Sequence, residues 1–312
     1  MTRSRIFRAT VASVLAVSAL SMAAQAGAVT FDLSPQQPGR LRAVPDAAAI
    51  KALPANFRFA EPGVLTVGLT VAYPPISTYA TDAKTVIGYD PDLAQLVADE
   101  LGLKLKLVPL AWPEWPLALQ SGKVDVVLSN VTVTEQRKQK FDFSSYRRDE
   151  LGFFVATNSP IKSIREPKDI AGLRVITDAG TNQEKIALEW NKENVAHGLK
   201  PAQFIYYDDF AARSIALQAG RADVILSVNA ALAYVAAQKG ALRSVGTISG
   251  GWPRTAEVAV TTRKGSGLAD PITVVLNQLI ASGTYRQELD RWGLGNEAIE
   301  HSVTNPPGLP EE

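Results

Sequence analysis

LQSGKVDVVLSNVTVTEQR, residues 119–137, reads as the end of a helix, a turn at Gly122, a short apolar strand over 124–128 and a polar exit into a new helix near Thr134. The chemistry lies in that exit. Asn130, Thr132 and Thr134 put hydrogen-bonding groups where the strand stops, and Arg137 falls in the first turn of a helix capped by Thr134. A cation is misplaced there, because the helix dipole favours an anion at the N-terminus by roughly 0.3–1 kcal/mol. A carboxylate gripped by Arg137 and by free backbone amides would remove the conflict. For one isolated arginine the plainer alternative is a solvated side chain paired with Glu135.

The stretch occurs twice. Residues 217–228 read LQAGRADVILSV against LQSGKVDVVLSN at 119–130, keeping Leu-Gln, Gly, Asp-Val and Leu-Ser. Two copies of one helix-turn-strand unit, too far apart to be adjacent solenoid turns, predict two similarly built α/β lobes in one chain.

Length and composition agree with two cores: the chain has 312 residues, 46% hydrophobic and 20% charged. Arg3, Arg5 and Arg8 precede an apolar run over 9–19, followed by small residues, which is the layout of a secretory signal cleaved after Ala26 or Ala28. The run is too short to span a bilayer as a helix. Cleavage after Ala26 leaves 29 basic and 31 acidic residues, a balance that gives no electrostatic case for nucleic acid or an anionic membrane. Absence of cysteine excludes disulfides, thiol catalysis and a lipid-modified cysteine, and points to an exported periplasmic protein. His197 and His301 are the only imidazoles, so no metal and no cofactor is expected.

In chain order, residues 27–62 form an extension on the surface, with a short helix over 46–53. VLTVGL at 64–69 is a buried strand running into Thr70, Tyr73 and two prolines, which present Tyr73 at its edge. Asp90 caps a helix with Pro91 at its first position, so the Asp90 and Asp92 pair reads as capping rather than catalysis. Of Trp112 and Trp115, helical spacing puts Trp115 in the core and leaves Trp112 as a cleft wall. Residues 151–156 form a strand crossing into the second lobe. Thr181 and Glu184 are spaced as a capping box, which needs no ligand and offers another anion site at Asn182 and Gln183. Val258 to Thr262 is a return strand, two helices close the chain over 271–282 and 285–292, and the tail from Asn305 is loose.

Taken together, VGLTVAYPP, IGYDPDLAQLVADELG, LQSGKVDVVLSNVTVTEQR with FDFS behind it, AGTNQ, LQAGRADVIL and ASGTYRQELDRWGL resemble the periplasmic solute-binding proteins of polar amino-acid ABC importers, among them the histidine-, lysine/arginine/ornithine- and glutamine-binding proteins. The resemblance covers residues 64–294. It implies the type II periplasmic-binding-protein fold, two α/β lobes joined by two crossing hinge strands, near 151–156 and 257–260. The lobes would then be 63–152 with 257–300, and 153–256, with a tail at 301–312. By motif position, Arg137 looks like the carboxylate-binding arginine, helped by Thr132 and the amide of Asn182. Tyr73 resembles the aromatic that stacks on the ligand, Trp112 a wall, and Asn130, Thr70, Asp178 and Gln183 the remaining lining.

One departure matters. Where the family commonly has an aspartate for the ligand's α-ammonium, this chain has Val228, with Asn229 beside it. Either the ligand lacks that ammonium or another acid, such as Asp178, supplies the charge. Thr70, standing where binders of basic amino acids often have aspartate, argues against lysine, arginine or histidine. The implied function is a monomeric, non-enzymatic binding protein that hands a small carboxylate solute to an inner-membrane ABC permease. The rivals are an enzyme like the cyclohexadienyl dehydratases, which resemble this family, and a ligand-sensing module for a receptor. No carboxylate pair or histidine falls in the expected cleft to serve the first.

Overall fold

The computed structural model describes residues 31–72, 74–207 and 209–310; the signal segment and Tyr73 lie outside them. The first lobe contains α1 (Ala47–Ala52), β1 (Val64–Leu69), β2 (Thr78–Tyr79), β3 (Val86–Ile87), α2 (Tyr89–Glu100), β4 (Lys104–Pro109), α3 (Trp115–Gln120), β5 (Val126–Val127), α4 (Glu135–Lys138) and β6 (Phe141–Arg148). Then come β7 (Glu150–Ala156), β8 (Arg174–Thr177), α5 (Asn182–Ala196), β9 (Gln203–Tyr206), α6 (Phe210–Gln218), β10 (Val224–Val228), α7 (Asn229–Lys239) and β11 (Leu242–Ser249). The chain returns through β12 (Glu257–Arg263), α8 (Ala269–Ala281) and α9 (Thr284–Arg291).

Each lobe is built on a five-stranded sheet, ordered β4-β1-β5-β12-β6 in the first and β11-β7-β10-β8-β9 in the second. Reading the second backwards gives the same plan. In both, two outer strands run parallel to the repeated strand, and on its other side lies an antiparallel strand next to a crossing between lobes. β1 is buried at every position, as a parallel strand covered on both faces must be. Edge strand β4 instead alternates exposed Lys104 and Lys106 with inward leucines, which guards a free edge. Gly68 lets Leu110 pack close on β1, since a Cβ there would stand 2.7 Å from Leu110 Cδ1 and displace that side chain.

The residues kept in the repeat do matching work. Gly122 and Gly220 both end helices with positive φ (77° and 69°). Asp125 accepts from the amide of Thr66 (2.9 Å), and Asp223 from that of Arg174 (2.7 Å), so each ties its strand to the neighbouring parallel one. Ser129 accepts from the amide of Thr70 (3.0 Å), and Ser227 donates to Asp178 (3.2 Å). Thr70 and Asp178 are thereby equivalent positions, one in each lobe.

The chain passes between sheets at Asp149, ahead of the strand expected to cross, and again between Ser249 and Glu257. The crossings are bonded to each other: the Asp149 amide donates to Ala256 O (2.9 Å) and the Gly250 amide to Asp149 O (2.9 Å). Strands β6 and β11 have no counterpart in the sequence reading beyond the FDFS motif, since their apolar positions are broken by arginine, serine and glycine.

Two expectations need correction, the cap of α2 and the loose tail. Helix α2 starts two residues early, at Tyr89 with Gly88 as its cap; Asp90 is fully buried and accepts from Tyr146 Oη (3.1 Å). The extension lies on the surface and is anchored there, through Arg40 to Asp92 and Arg42 to Asp99 (2.6 Å each) and through Phe31, which packs on Trp292 and on Tyr234 of α7. The tail is not loose. Asn305 accepts from the Phe143 amide (2.9 Å), and Leu309 exchanges backbone bonds with Val133 and Glu135.

Candidate functional site

A cleft of about 820 Å³ opens between the lobes, a size that suits a small molecule. Its walls come from the loop after β1, from Trp112, from the exits of β5 and β10, and from the first turns of α5 and α6. Thr70, Trp112, Asn130, Thr132, Arg137, Asp178, Asn182, Gln183 and Val228, all expected from sequence, line it. Lys185 of α5 donates to Gln136 of α4 (2.8 Å), a contact between the lobes.

Arg137 is half-buried under two indoles, 5.6 Å from the Trp112 ring centre and 6.0 Å from that of Trp115. Trp115 is core and Trp112 a wall, as spacing required. Thr134 caps the helix by accepting from the Arg137 amide (3.1 Å). The guanidinium donates through Nη1 to Thr132 O (2.8 Å) and makes no ion pair among the described residues. Burial lowers it to about 10, with Asp149 acting in the opposite sense.

The surroundings differ from the expectation in three ways. The Glu135 amide, at the head of α4, is taken by Leu309 O (2.8 Å), so the helix start is not a set of free donors. The Thr132 hydroxyl donates to Asp149 (2.7 Å), which commits its proton to the protein. The Asn130 side chain turns to Arg147 and Asp149 from a backbone φ of 52°. Asp149, beneath the cleft at the crossing, is buried; burial raises its carboxyl, while Thr132 and Arg147 act to lower it. Arg147 in turn pairs with buried Glu297, whose carboxyl burial pushes up to about 7.

On the opposite wall Thr181 caps α5 by accepting from the Glu184 amide (3.3 Å), but Glu184 reaches the Gly180 amide (2.6 Å), leaving the capping box half-formed. Asn182 Nδ2, Thr70 Oγ1 and Ser77 Oγ are buried without a hydrogen-bond partner among the described residues. All three residues line the cleft, and each of these groups is neutral.

Sequence reasoning missed Arg213. It is buried on α6, pairs with Asp178, donates through Nε to Tyr207 O (3.1 Å) and lies 5.6 Å over the Phe210 ring. Asp178 is therefore not the free acid that was considered for a ligand's ammonium. A signal was present: extending the repeat four residues back sets Arg213 on Trp115, a charge where the first copy has a core residue.

The sequence pattern of the bacterial extracellular solute-binding proteins, family 3, matches residues 65–295. The chain belongs to this family. Among family-related proteins, it is 34% identical over 167 residues to the L-cystine-binding protein TcyJ of Escherichia coli (strain K12), covering 53% of this chain and 59% of that one. It is 28% identical over 172 residues to the cyclohexadienyl dehydratase of Pseudomonas aeruginosa, covering 54% and 61%. The chain thus spans less than two-thirds of the length of these two curated relatives. In structure it superposes on an ancestral arginine-binding protein bound to arginine with a TM-score of 0.65 and 29% identity, covering 74% of this chain and 98% of that one. The two-lobed type II fold is common to them.

Proposed function

We propose that the chain is the exported, non-enzymatic capture component of an ABC importer, which closes its lobes over a small carboxylate-bearing solute of the amino-acid class and delivers it to a permease. The observation that carries this reading is Arg137: a guanidinium held under two tryptophans at the cleft surface, lacking an ion pair among the described residues, and pushed down by burial. A carboxylate would supply its counter-charge through two parallel hydrogen bonds. Thr70, Ser77 and Asn182 supply neutral contacts from both lobes, so a ligand touching all three stabilises the closed arrangement over the open one. The L-cystine-binding relative and the arginine-binding structural neighbour support the amino-acid class.

An enzyme reading has one named relative behind it, but the acids lining the cleft among the described residues are already engaged. Asp178 is paired with Arg213, and Asp209 accepts from the Ala212 amide (2.7 Å). The test is a thermal-shift screen of the mature chain against amino acids, their derivatives and organic acids, with turnover of prephenate and arogenate assayed alongside. A carboxylate at about a hundred times its Kd should add close to 3 kcal/mol of stability. Shifts only with ligands lacking a carboxylate, or turnover of either substrate, would overturn the proposal.

A further inference from the structure

The cleft holds two guanidinium groups in opposite situations. Arg137 makes no ion pair among the described residues, whereas buried Arg213 is already paired with Asp178. That carboxylate is used on both oxygens: Oδ1 faces Arg213, and Oδ2 accepts from Ser227 Oγ (3.2 Å) and Gln183 Nε2 (3.4 Å). The remaining described acid on the wall, Asp209, caps α6. Val228 closes the end of β10 with an apolar surface, 5% exposed. One negative charge is missing, opposite Arg137, and no described negative charge is left over for a ligand cation.

Resting on the carboxylate reading above, we infer that Arg213 is a built-in counter-ion for Asp178 and makes the cleft selective for carboxylates that carry no protonated amine on the adjacent carbon. N-acylated amino acids and 2-hydroxy acids meet this description. An ammonium brought to Asp178 would share one carboxylate with a guanidinium in a site shielded from water, leaving a buried cation short of compensation. A neutral acyl or hydroxyl group finds Asn182 Nδ2, Thr70 Oγ1 and Ser77 Oγ, each buried and unpartnered among the described residues. Removal of the Arg213 charge would return Asp178 to service as an acceptor for an amine.

The test is calorimetric titration of the mature chain with the twenty L-amino acids, each beside its N-acetyl derivative, and with the 2-hydroxy acids matching alanine, leucine and phenylalanine. The tightest ligands should be amine-free and bind at least about tenfold tighter than the matched L-amino acid. Arg213→Met should move that ratio roughly tenfold or more toward the amine, and Arg213→Lys should leave it near the wild-type value. If Arg213→Met does not fold, the wild-type ratio decides alone. A free L-amino acid bound as tightly as its amine-free partners in the wild type would overturn the counter-ion role and leave the carboxylate reading standing. Binding of no carboxylate, or binding indifferent to Arg137→Ala, would overturn both.

Discussion

Arg137→Ala should separate ligand binding from folding. Nη1 is engaged by Thr132 O, which leaves Nη2 and Nε as one edge of the guanidinium for a two-bonded grip on a carboxylate. Deleting one member of such a charge pair costs about 2–5 kcal/mol, or roughly 30-fold to 4000-fold in Kd. The upper half of that range is expected here, because burial strips solvent from the charge and no protein ion pair offsets it among the described residues. The unliganded fold should hardly notice. The variant loses one hydrogen bond of about 1 kcal/mol and ring contacts of roughly 0.5–1 kcal/mol each, while relief of desolvation acts the other way. Calorimetric titration with the best carboxylate ligand measures the first quantity, and thermal unfolding without ligand measures the second. An unchanged Kd would refute the grip; a Kd loss matched by collapse of the unliganded protein would refute the separation.

Other outcomes follow from the same physical terms. Ending the chain after Thr304 removes the bonds of Asn305 and Leu309 to Phe143, Val133 and Glu135, and should cost about 3 kcal/mol, read as a fall of roughly 6–10 °C in Tm. Gly250→Ala would drive a Cβ into the Asp149 side chain at the bonded crossings, so it should destabilise by about 1–3 kcal/mol in urea unfolding; an unchanged midpoint would show that the crossing yields. Glu288 is fully buried beside Asp92, and burial followed by that neighbour's charge pushes its carboxyl up to about 8. The folded state therefore binds its proton more tightly than the unfolded chain, and the stability this gives is present below about pH 4.5 and lost as the pH rises through about 8. Glu288→Gln should flatten that part of the stability profile, and an unaltered profile would refute the assignment.

Much of the site was legible because local chemistry announced it. Arg137 stood out as a cation where the helix dipole wants an anion, and Trp112 and Trp115 were assigned by helical spacing alone. Thr134 and Thr181 cap as their spacing required. Asp90 was misread because the same residue types serve as caps and as buried acceptors, and only the packing of Tyr146 against it decides which. The tail was misread because Pro and Gly mark a segment without periodic structure whether or not another segment offers it backbone partners.

The sequence by itself determined the two-lobe plan. A repeat of helix, glycine turn and strand can bury its apolar face in one way, so two copies mean two sheets of the same design. It also singled out Arg137, since the conflict of a cation with the helix dipole arises within one turn of helix. Tertiary structure alone decided the charge balance of the cleft. Arg213 and Asp178 lie in separate elements of the second lobe, and whether they pair depends on how α6 and the exit of β8 meet. Coulombic compensation acts over a few ångströms between elements distant along the chain, and residue spacing within one element carries no record of it.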